Sequence, residues 1–185
     1  SLGKLGGREM GYGSDLDLVF VYDGDGGVPE GVSHVEYFAA WASGVIRALK
    51  ETTRYGRLYD IDARLRPEGN KGVLTVGAAR LEEYYRTRAD AWELLAAMKM
   101  RAVGGDPAFA AEVENRVRSV AFALPLTRAN LERIDEIRGK LVGTASPLSL
   151  KKGQGGLAEL EFAVRLLQLR HAAAHPSDVR GDALG

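Results

Sequence analysis

Hydrophobic residues recur three and four positions apart in several segments, which is the spacing of helices that bury one face. The first such segment is 34–50, where Ser33 and Glu36 stand at the positions of a capping box. Asp106 followed by Pro107 marks the start of another helix. The helices predicted after the first cover 78–100 with a break near Ala89, 107–123, 127–142 and 157–173.

Strands are predicted in the first half of the chain, where apolar and polar residues alternate. A strand over 2–5 and a strand over 15–22 flank a glycine-rich turn. The segment 57–66 alternates until Pro67 ends it, and 74–76 forms a short fourth strand. Strands in the first half followed by helices in the second predict an α+β fold.

Two aspartates in the second predicted strand carry the first candidate chemistry. Asp15 and Asp17 are two residues apart and therefore share one face of the strand, while Leu16 and Leu18 share the other. Two like charges side by side are costly unless a cation lies between them. An all-oxygen site suits Mg²⁺ or Mn²⁺, with substrate phosphates as further ligands. The pair therefore predicts a metal site.

The third predicted strand adds charged groups that suit phosphates. Asp60 and Asp62 share a face with Arg64 and Arg66, and a guanidinium group contacts phosphate oxygens in pairs. Backbone N–H groups in the glycine-rich turn suit a triphosphate, at Gly6, Gly7 and Ser14. Carboxylates, a glycine turn and arginines together indicate nucleotidyl transfer assisted by two metal ions.

Each of these features also has a purely structural alternative. An Asp-x-Asp pair near a turn is common, arginines form surface ion pairs of little energetic consequence, and a glycine-rich turn can be only a tight connection. The features occur together in one short half of the chain, with apolar residues on the opposite strand faces. Their combination favours the functional interpretation.

Composition and charge narrow the classes of function. Lys and Arg together number 25, as do Asp and Glu, so the formal net charge of zero argues against a nucleic-acid or anionic-membrane partner. The absence of cysteine excludes disulfides, thiolate metal sites and a thiol nucleophile. The apolar runs are too short to span a membrane, so we expect a soluble protein, and a cysteine-free chain is compatible with the cytoplasm.

Three segments occur in the order typical of a known family. They are LGKLGGREMGYGSDLDLVFVYD at 2–23, RLYDIDARLRPEGNKG at 57–72 and KKGQGGLAELEF at 151–162. These segments resemble the signatures of the glutamine synthetase adenylyltransferase family, a branch of the polymerase-beta-like nucleotidyltransferases. The resemblance extends over nearly the whole chain and is far more specific than the Asp-x-Asp pair alone.

The resemblance implies a fold, a set of ligands and roles for individual residues. The implied fold is a polymerase-beta-like nucleotidyltransferase core over 1–104, followed by a helical region over 105–185 that packs on it or extends it. The implied catalytic carboxylates, which also bind Mg²⁺ or Mn²⁺, are Asp15, Asp17 and Asp62. The residues implied to contact the nucleotide or its phosphates are Gly6, Gly7, Gly13, Ser14, Arg64, Arg66, Lys71 and Glu161.

The activity that the resemblance implies is AMP transfer. Each protein of the family has two similar nucleotidyltransferase halves. One of them attaches AMP from ATP to a tyrosine of glutamine synthetase, and the other removes this AMP by phosphorolysis, which releases ADP. The motif at 62–67 resembles the adenylylating half and the segment 84–101 the deadenylylating half, so both directions stay open. We expect this chain to be one half of a longer protein that a PII-type signalling protein regulates.

Two other functions fit the same core. The acceptor could be a small molecule, because a nucleotidyltransferase motif does not name its acceptor. The chain could also be a nucleotide-binding or docking module whose chemistry needs the rest of the protein. Identifying the acceptor distinguishes the first alternative from transfer to glutamine synthetase. Metal-dependent turnover by the chain distinguishes an enzyme from the second alternative.

Overall fold

The computed structural model describes residues 1–24, 27–57, 59–146 and 148–172. Helices account for most of the described backbone after residue 77, as the hydrophobic spacing predicts. The seven helices of the described chain are α1 (Gly3–Gly6), α2 (His34–Lys50), α3 (Ala78–Thr87), α4 (Ala91–Ala97), α5 (Pro107–Phe122), α6 (Arg128–Gly143) and α7 (Leu157–Ala172). None of the helices in this part of the chain is long and apolar enough to cross a membrane.

The residues that the structure describes include six short strands, which pair two by two. They are β1 (Leu16–Asp17), β2 (Phe20–Tyr22), β3 (Thr52–Thr53), β4 (Gly56–Arg57), β5 (Ile61–Asp62) and β6 (Thr75–Gly77). Strand β1 pairs in parallel with β5, and β2 pairs in parallel with β6. Strands β3 and β4 form a small antiparallel hairpin. Small parallel sheets together with helices confirm the predicted α+β class.

Side-chain caps explain where several helices begin. The Ser33 side chain accepts the backbone N–H of Glu36, whose carboxylate returns to Ser33, so the predicted capping box of α2 is confirmed. The predicted helix over 78–100 is broken after residue 87, and Asp90 starts α4 with a second capping box. Asp106 accepts two backbone N–H groups at the start of α5, with Pro107 as its first residue.

The strand predicted over 2–5 is wrong, because α1 occupies most of this segment. Only Leu2 makes a sheet-like contact, through its backbone N–H to the Asp17 carbonyl at 2.9 Å. The next residue, Gly3, has a φ of +52°, a left-handed conformation that glycine adopts without strain and that starts the turn. The apolar residues at 2–5 therefore belong to one buried leucine and to the short helix that follows it.

The two longer predicted strands are also shorter in the structure. The segment 15–22 divides into β1 and β2, and 57–66 retains strand only in β4 and β5, with Leu58 outside the described residues. The predicted common face of Asp62, Arg64 and Arg66 is wrong, because both arginines lie in turns beyond β5. The Asp62 carboxylate accepts the backbone N–H of Arg64 at 2.8 Å, which favours a turn over continued strand pairing.

The hydrophobic core joins residues from both parts of the chain. Helix α3 packs against α5, and α4 packs against both α5 and α6. Buried Leu81 and Met98 from the first part share one cluster with Val117, Ile134 and Leu169 from the second. The division at residue 104 stays a prediction, and the predicted helix end at Ala173 lies outside the described residues.

Candidate active site

The parallel pairing of β1 and β5 brings two aspartates of distant segments side by side. Asp17 and Asp62 occupy the same register position on adjacent strands. The backbone N–H of Leu16 donates to the Asp60 carbonyl and that of Leu18 donates to the Asp62 carbonyl, each at 2.8 Å. These hydrogen bonds fix the relative height of the two strands, and therefore of the two carboxylates.

Charge is concentrated around Asp17. Leu16 and Leu18 are buried on one face of the segment, Asp15 is exposed and Asp17 is half-buried. Burial raises the pKa of Asp17, and the nearby charges of Asp62 and Asp15 raise it further. The three carboxylates therefore interact electrostatically, although they come from segments that are more than forty residues apart in sequence.

A glycine lets the backbone of α1 approach the Asp17 side chain. A Cβ atom built on Gly3 would lie 2.9 Å from the Asp17 Cγ, and closer still to its Oδ2. Carbon atoms normally approach no closer than about 3.5 Å. The absence of a side chain at this position is therefore a condition for the observed place of the Asp17 carboxylate.

Arg64 forms a close ion pair with Asp62. The Arg64 Nε lies 2.9 Å from both carboxylate oxygens, and its Nη2 lies 2.5 Å from Oδ2. These hydrogen bonds hold the pKa of Asp62 below its ordinary value, and that of Arg64 is raised by the same contact. The guanidinium group is largely exposed, and it also interacts electrostatically with Asp17 and Asp15.

The glycine-rich turn lies next to these carboxylates. The backbone N–H groups of Gly6 and Gly7 donate to Leu2 and Gly3 within α1, and that of Ser14 donates to Gly11. The buried Ser14 Oγ accepts the Gly11 N–H at 3.2 Å and lies 3.4 Å from Lys4 Nζ. Exposed Gly13, with a φ of +73°, completes the turn.

The remaining predicted phosphate contacts lie around a second turn. Arg66 donates through Nη1 to the Ala63 carbonyl at 2.5 Å and through Nε and Nη2 to the Gly72 carbonyl at 3.3 Å. Its guanidinium group thus closes the turn that contains the short 3₁₀ helix Gly69–Lys71. Lys71 is exposed at the end of that helix. Contacts of Arg66 and Lys71 with phosphate stay predictions.

The third segment reaches the first through a buried lysine. Glu161, in α7, accepts Lys99 Nζ at 2.9 Å, and Glu9 accepts the same ammonium at 2.7 Å. The positive charge of Lys151 interacts electrostatically with Asp17 and opposes the increase in its pKa. From the sequence, Lys99 is predicted only at a lower rank, with Arg101, as part of the lining of the nucleotide cleft, and Lys4 and Lys151 are not predicted as individual site residues. Lys4 and Lys151 lie inside the first and third segments, but only the structure gives the partners of the three lysines.

The donor chemistry fits a magnesium or manganese ion. Asp15, Asp17 and Asp62 supply carboxylate oxygens, which are the ligands that Mg²⁺ takes in proteins together with substrate phosphates and water. Across the described residues, no three histidine or carboxylate groups gather tightly enough to hold an ion by themselves. A metal site here would therefore need substrate oxygens in addition to the carboxylates.

A groove with a mainly apolar lining lies beside the buried leucines of this segment. It has a volume of about 680 Å³ and is lined by Leu16 and Leu18 together with Phe38 and Trp41 of α2. These leucines alternate with Asp15 and Asp17 along the chain, and side chains alternate between the two faces of a strand. The candidate chemistry is thus on the charged side of this segment.

Known proteins resemble the chain over almost its whole length. A family model described as glutamate-ammonia ligase adenylyltransferase matches residues 1–116. Three relatives, each named bifunctional glutamine synthetase adenylyltransferase/adenylyl-removing enzyme, come from Xanthomonas campestris pv. campestris strain B100, Rhodopseudomonas palustris strain HaA2 and Thioalkalivibrio sulfidiphilus strain HL-EbGR7. They are 40%, 36% and 36% identical over 95%, 95% and 94% of this chain, but over only 20%, 18% and 19% of their own lengths. The chain thus spans about a fifth of these relatives, and it belongs to the glutamate-ammonia ligase adenylyltransferase family.

Proposed function

We propose that this chain is a catalytic unit for transfer of AMP between a nucleotide and a tyrosine of glutamine synthetase. The observation that carries the proposal is the shared register of Asp17 and Asp62 on paired strands, with Asp15 in electrostatic contact. Membership of the adenylyltransferase family supports the same reaction class. The names of the relatives support glutamine synthetase as the acceptor.

In the adenylylating direction, the tyrosine oxygen forms a bond to the α-phosphorus of ATP while the bond to the pyrophosphate leaving group breaks. In the opposite direction, an oxygen of inorganic phosphate forms a bond to the phosphorus of the tyrosine-bound AMP while the bond from that phosphorus to the tyrosine oxygen breaks. The tyrosine oxygen takes up the proton that the attacking phosphate gives up, and ADP is released. We assign Asp62 either to accept the tyrosine proton in the first direction or to complete the metal site. Its low pKa keeps it ionised, but Arg64 must release an oxygen before the carboxylate can act as a base.

We assign Asp15 and Asp17 to hold Mg²⁺, for which Mn²⁺ could substitute, with Asp62 as the third ligand. When bound, such a metal supplies Lewis-acid neutralisation of phosphate charge. Ser14, Gly6, Gly7 and Gly13 form the turn that we assign to the nucleotide phosphates. We assign Arg64, Arg66, Lys71 and Glu161 to contacts around the same nucleotide. In the intact protein, we further propose a cytoplasmic reaction under the control of a PII-type signalling protein.

The test offers the chain two substrates in the presence of Mg²⁺. One sample contains unmodified glutamine synthetase and ATP, and the other contains adenylylated glutamine synthetase and phosphate. Mass spectrometry of the acceptor subunit then reports AMP gained or AMP lost, which also determines the direction of the reaction. Asp17→Asn abolishes either reaction, whereas Glu112→Gln, which removes an exposed carboxylate of α5, leaves it unchanged.

The controls separate the alternatives. Chelation of the metal with EDTA stops the transfer, and added Mg²⁺ restores it. Transfer to a small molecule, with no change in the mass of glutamine synthetase, would favour a small-molecule nucleotidyltransferase. Binding of ATP without any transfer would favour a docking module, and wild-type turnover by Asp17→Asn would refute the assigned carboxylate site.

A further inference from the structure

A single buried lysine connects three distant segments of the chain. Lys99 follows α4 and is only 6% exposed. Its ammonium donates to Glu9, which is 90 residues away in sequence, and to Glu161, which is 62 residues away. The distances are 2.7 Å and 2.9 Å, so both are charge-assisted hydrogen bonds.

The backbone next to Lys99 supports the glycine-rich turn. A Cβ atom on Gly6 would overlap the carbonyl oxygen of Lys99, so only glycine permits this close packing. Arg101 donates to the carbonyl oxygens of Leu5 and Gly6 at the end of α1, at 2.6 Å and 3.1 Å. The segment 99–101 therefore holds α1 and the start of the turn from one side.

The side chain of Lys99 holds the third segment on the other side. Glu161 lies in the first part of α7, directly after the turn that contains Lys151. Within the same region, Glu159 accepts the Gly155 N–H at 2.6 Å and also pairs with Arg138 of α6. The charge of Lys151 reaches Asp17 from this turn. A displacement of α7 would therefore move the charge of Lys151 relative to the Asp17 carboxylate.

Buried ion pairs are weak contributors to net stability, because desolvation of the charges offsets their attraction. Their clearer effect is to specify one arrangement of the groups that they join. One ammonium shared by two carboxylates is well suited to fix the position of a helix. The Glu161 side chain is 38% exposed, so this carboxylate can be hydrated if the lysine is removed.

We propose that Lys99 is a positioning residue, which fastens α7 through Glu161 to the glycine-rich turn through Glu9 and so sets the third segment beside Asp17. This inference rests on the proposed function, since its consequence is measured in AMP transfer. In the described part of the chain, the Lys99 ammonium donates to Glu9 and Glu161 and not to the aspartates of β1 and β5, so its effect passes through Glu161.

The test compares Lys99→Met with Lys99→Arg and with Lys140→Met, whose lysine makes an exposed ion pair on α6. Hydrogen exchange of the amides at 157–162 reports the attachment of α7, and steady-state kinetics report kcat and KM for ATP. Lys99→Met accelerates the exchange and lowers kcat at least tenfold, with KM for ATP changed less than threefold. Lys99→Arg retains kcat within threefold, because its charge still contacts both glutamates. Lys140→Met changes neither quantity.

A second variant covers the case in which Lys99→Met fails to fold. Glu9→Gln leaves Lys99 paired with Glu161 but weakens the link to the glycine-rich turn, and it produces the same faster exchange and lower kcat. Unchanged kcat despite faster exchange, or no recovery with Lys99→Arg, overturns the positioning role. A wild-type chain that transfers no AMP refutes the proposed function instead, and the attachment of α7 by Lys99 is then decided by the exchange rates alone.

Discussion

Replacement of Gly3 by alanine tests whether the carboxylate site depends on the close approach of α1. Two separate effects act on Gly3→Ala. The φ of Gly3 is +52°, which disfavours any side chain, and a Cβ atom at this position would lie 2.9 Å from the Asp17 Cγ. Gly31→Ala is the matched control, because its φ of +81° imposes a similar backbone cost while no described atom lies within 4 Å of the new Cβ.

The two effects differ in size and in what they change. A left-handed alanine costs about 1–2 kcal/mol in either variant. In Gly3→Ala the Asp17 carboxylate must also move by roughly 1 Å to reach an ordinary contact distance. A displacement of about 1 Å at a catalytic group can lower a rate about 100-fold. We therefore expect similar losses of stability in the two variants, with slow transfer only in Gly3→Ala.

Urea denaturation measures the free energy of unfolding of each variant. The mass-based assay measures the rate of AMP transfer at saturating ATP. The transfer rate of Gly31→Ala stays within threefold of the wild-type rate. If Gly3→Ala also transfers AMP at that rate, the position of the Asp17 carboxylate does not matter for the reaction, and the reasoning from the close approach of α1 is refuted.

Three further changes test the electrostatics, a cap and the core. Asp17→Asn gains stability over the wild type as pH rises above 3.8, the ordinary pKa of an aspartate carboxyl group. The reason is that the raised pKa of Asp17 means that folding disfavours its ionised form. A difference in the free energy of unfolding by urea that does not depend on pH would contradict this prediction. Asp106→Ala loses about 1 kcal/mol with its two hydrogen bonds to the first turn of α5, and an unchanged urea midpoint would exclude a stabilising cap. Leu81→Ala, at a position with 0% exposure, lowers the free energy of unfolding by about 2–5 kcal/mol. If calorimetry shows a loss below about 1 kcal/mol, the core closes around the deleted side chain.

Helix boundaries were predictable where a local signal marks them. Ser33 with Glu36 defines the start of α2, and Asp106 with Pro107 defines that of α5. Each signal acts within one helical turn, so it needs no information about the tertiary structure. The prediction of these starts from sequence is therefore confirmed by the side-chain hydrogen bonds.

Strand limits were less predictable, because local side-chain contacts compete with pairing. Arg64 alternates with Asp62 as a strand residue would, but its backbone N–H bonds to the Asp62 carboxylate and the chain turns. Leu2 is buried like a strand residue, yet Gly3 starts a helix beside it. Alternation in sequence records burial and does not record the backbone conformation that produces it.

The candidate site was predictable in its composition but only partly in its connections. The spacing of Asp15 and Asp17 indicated a shared face, and the similarity of sequence motifs indicated Asp62. The contact of Lys99 with Glu9 and Glu161 depends on how α4 and α7 pack. No local pattern specifies a contact between residues so far apart, so the structure was required to find it.

The core described above also bears on how the chain unfolds. Buried side chains before residue 104, such as Leu81 and Met98, contact the same cluster as Val117, Ile134 and Leu169 after it. Elements that share a core tend to lose their structure in one cooperative transition. Heating the chain should therefore melt α3 and α4 at the same temperature at which α5 and α6 melt. Cleavage of the chain between α4 and α5 would expose apolar surface on both pieces, because each piece supplies side chains to the same cluster.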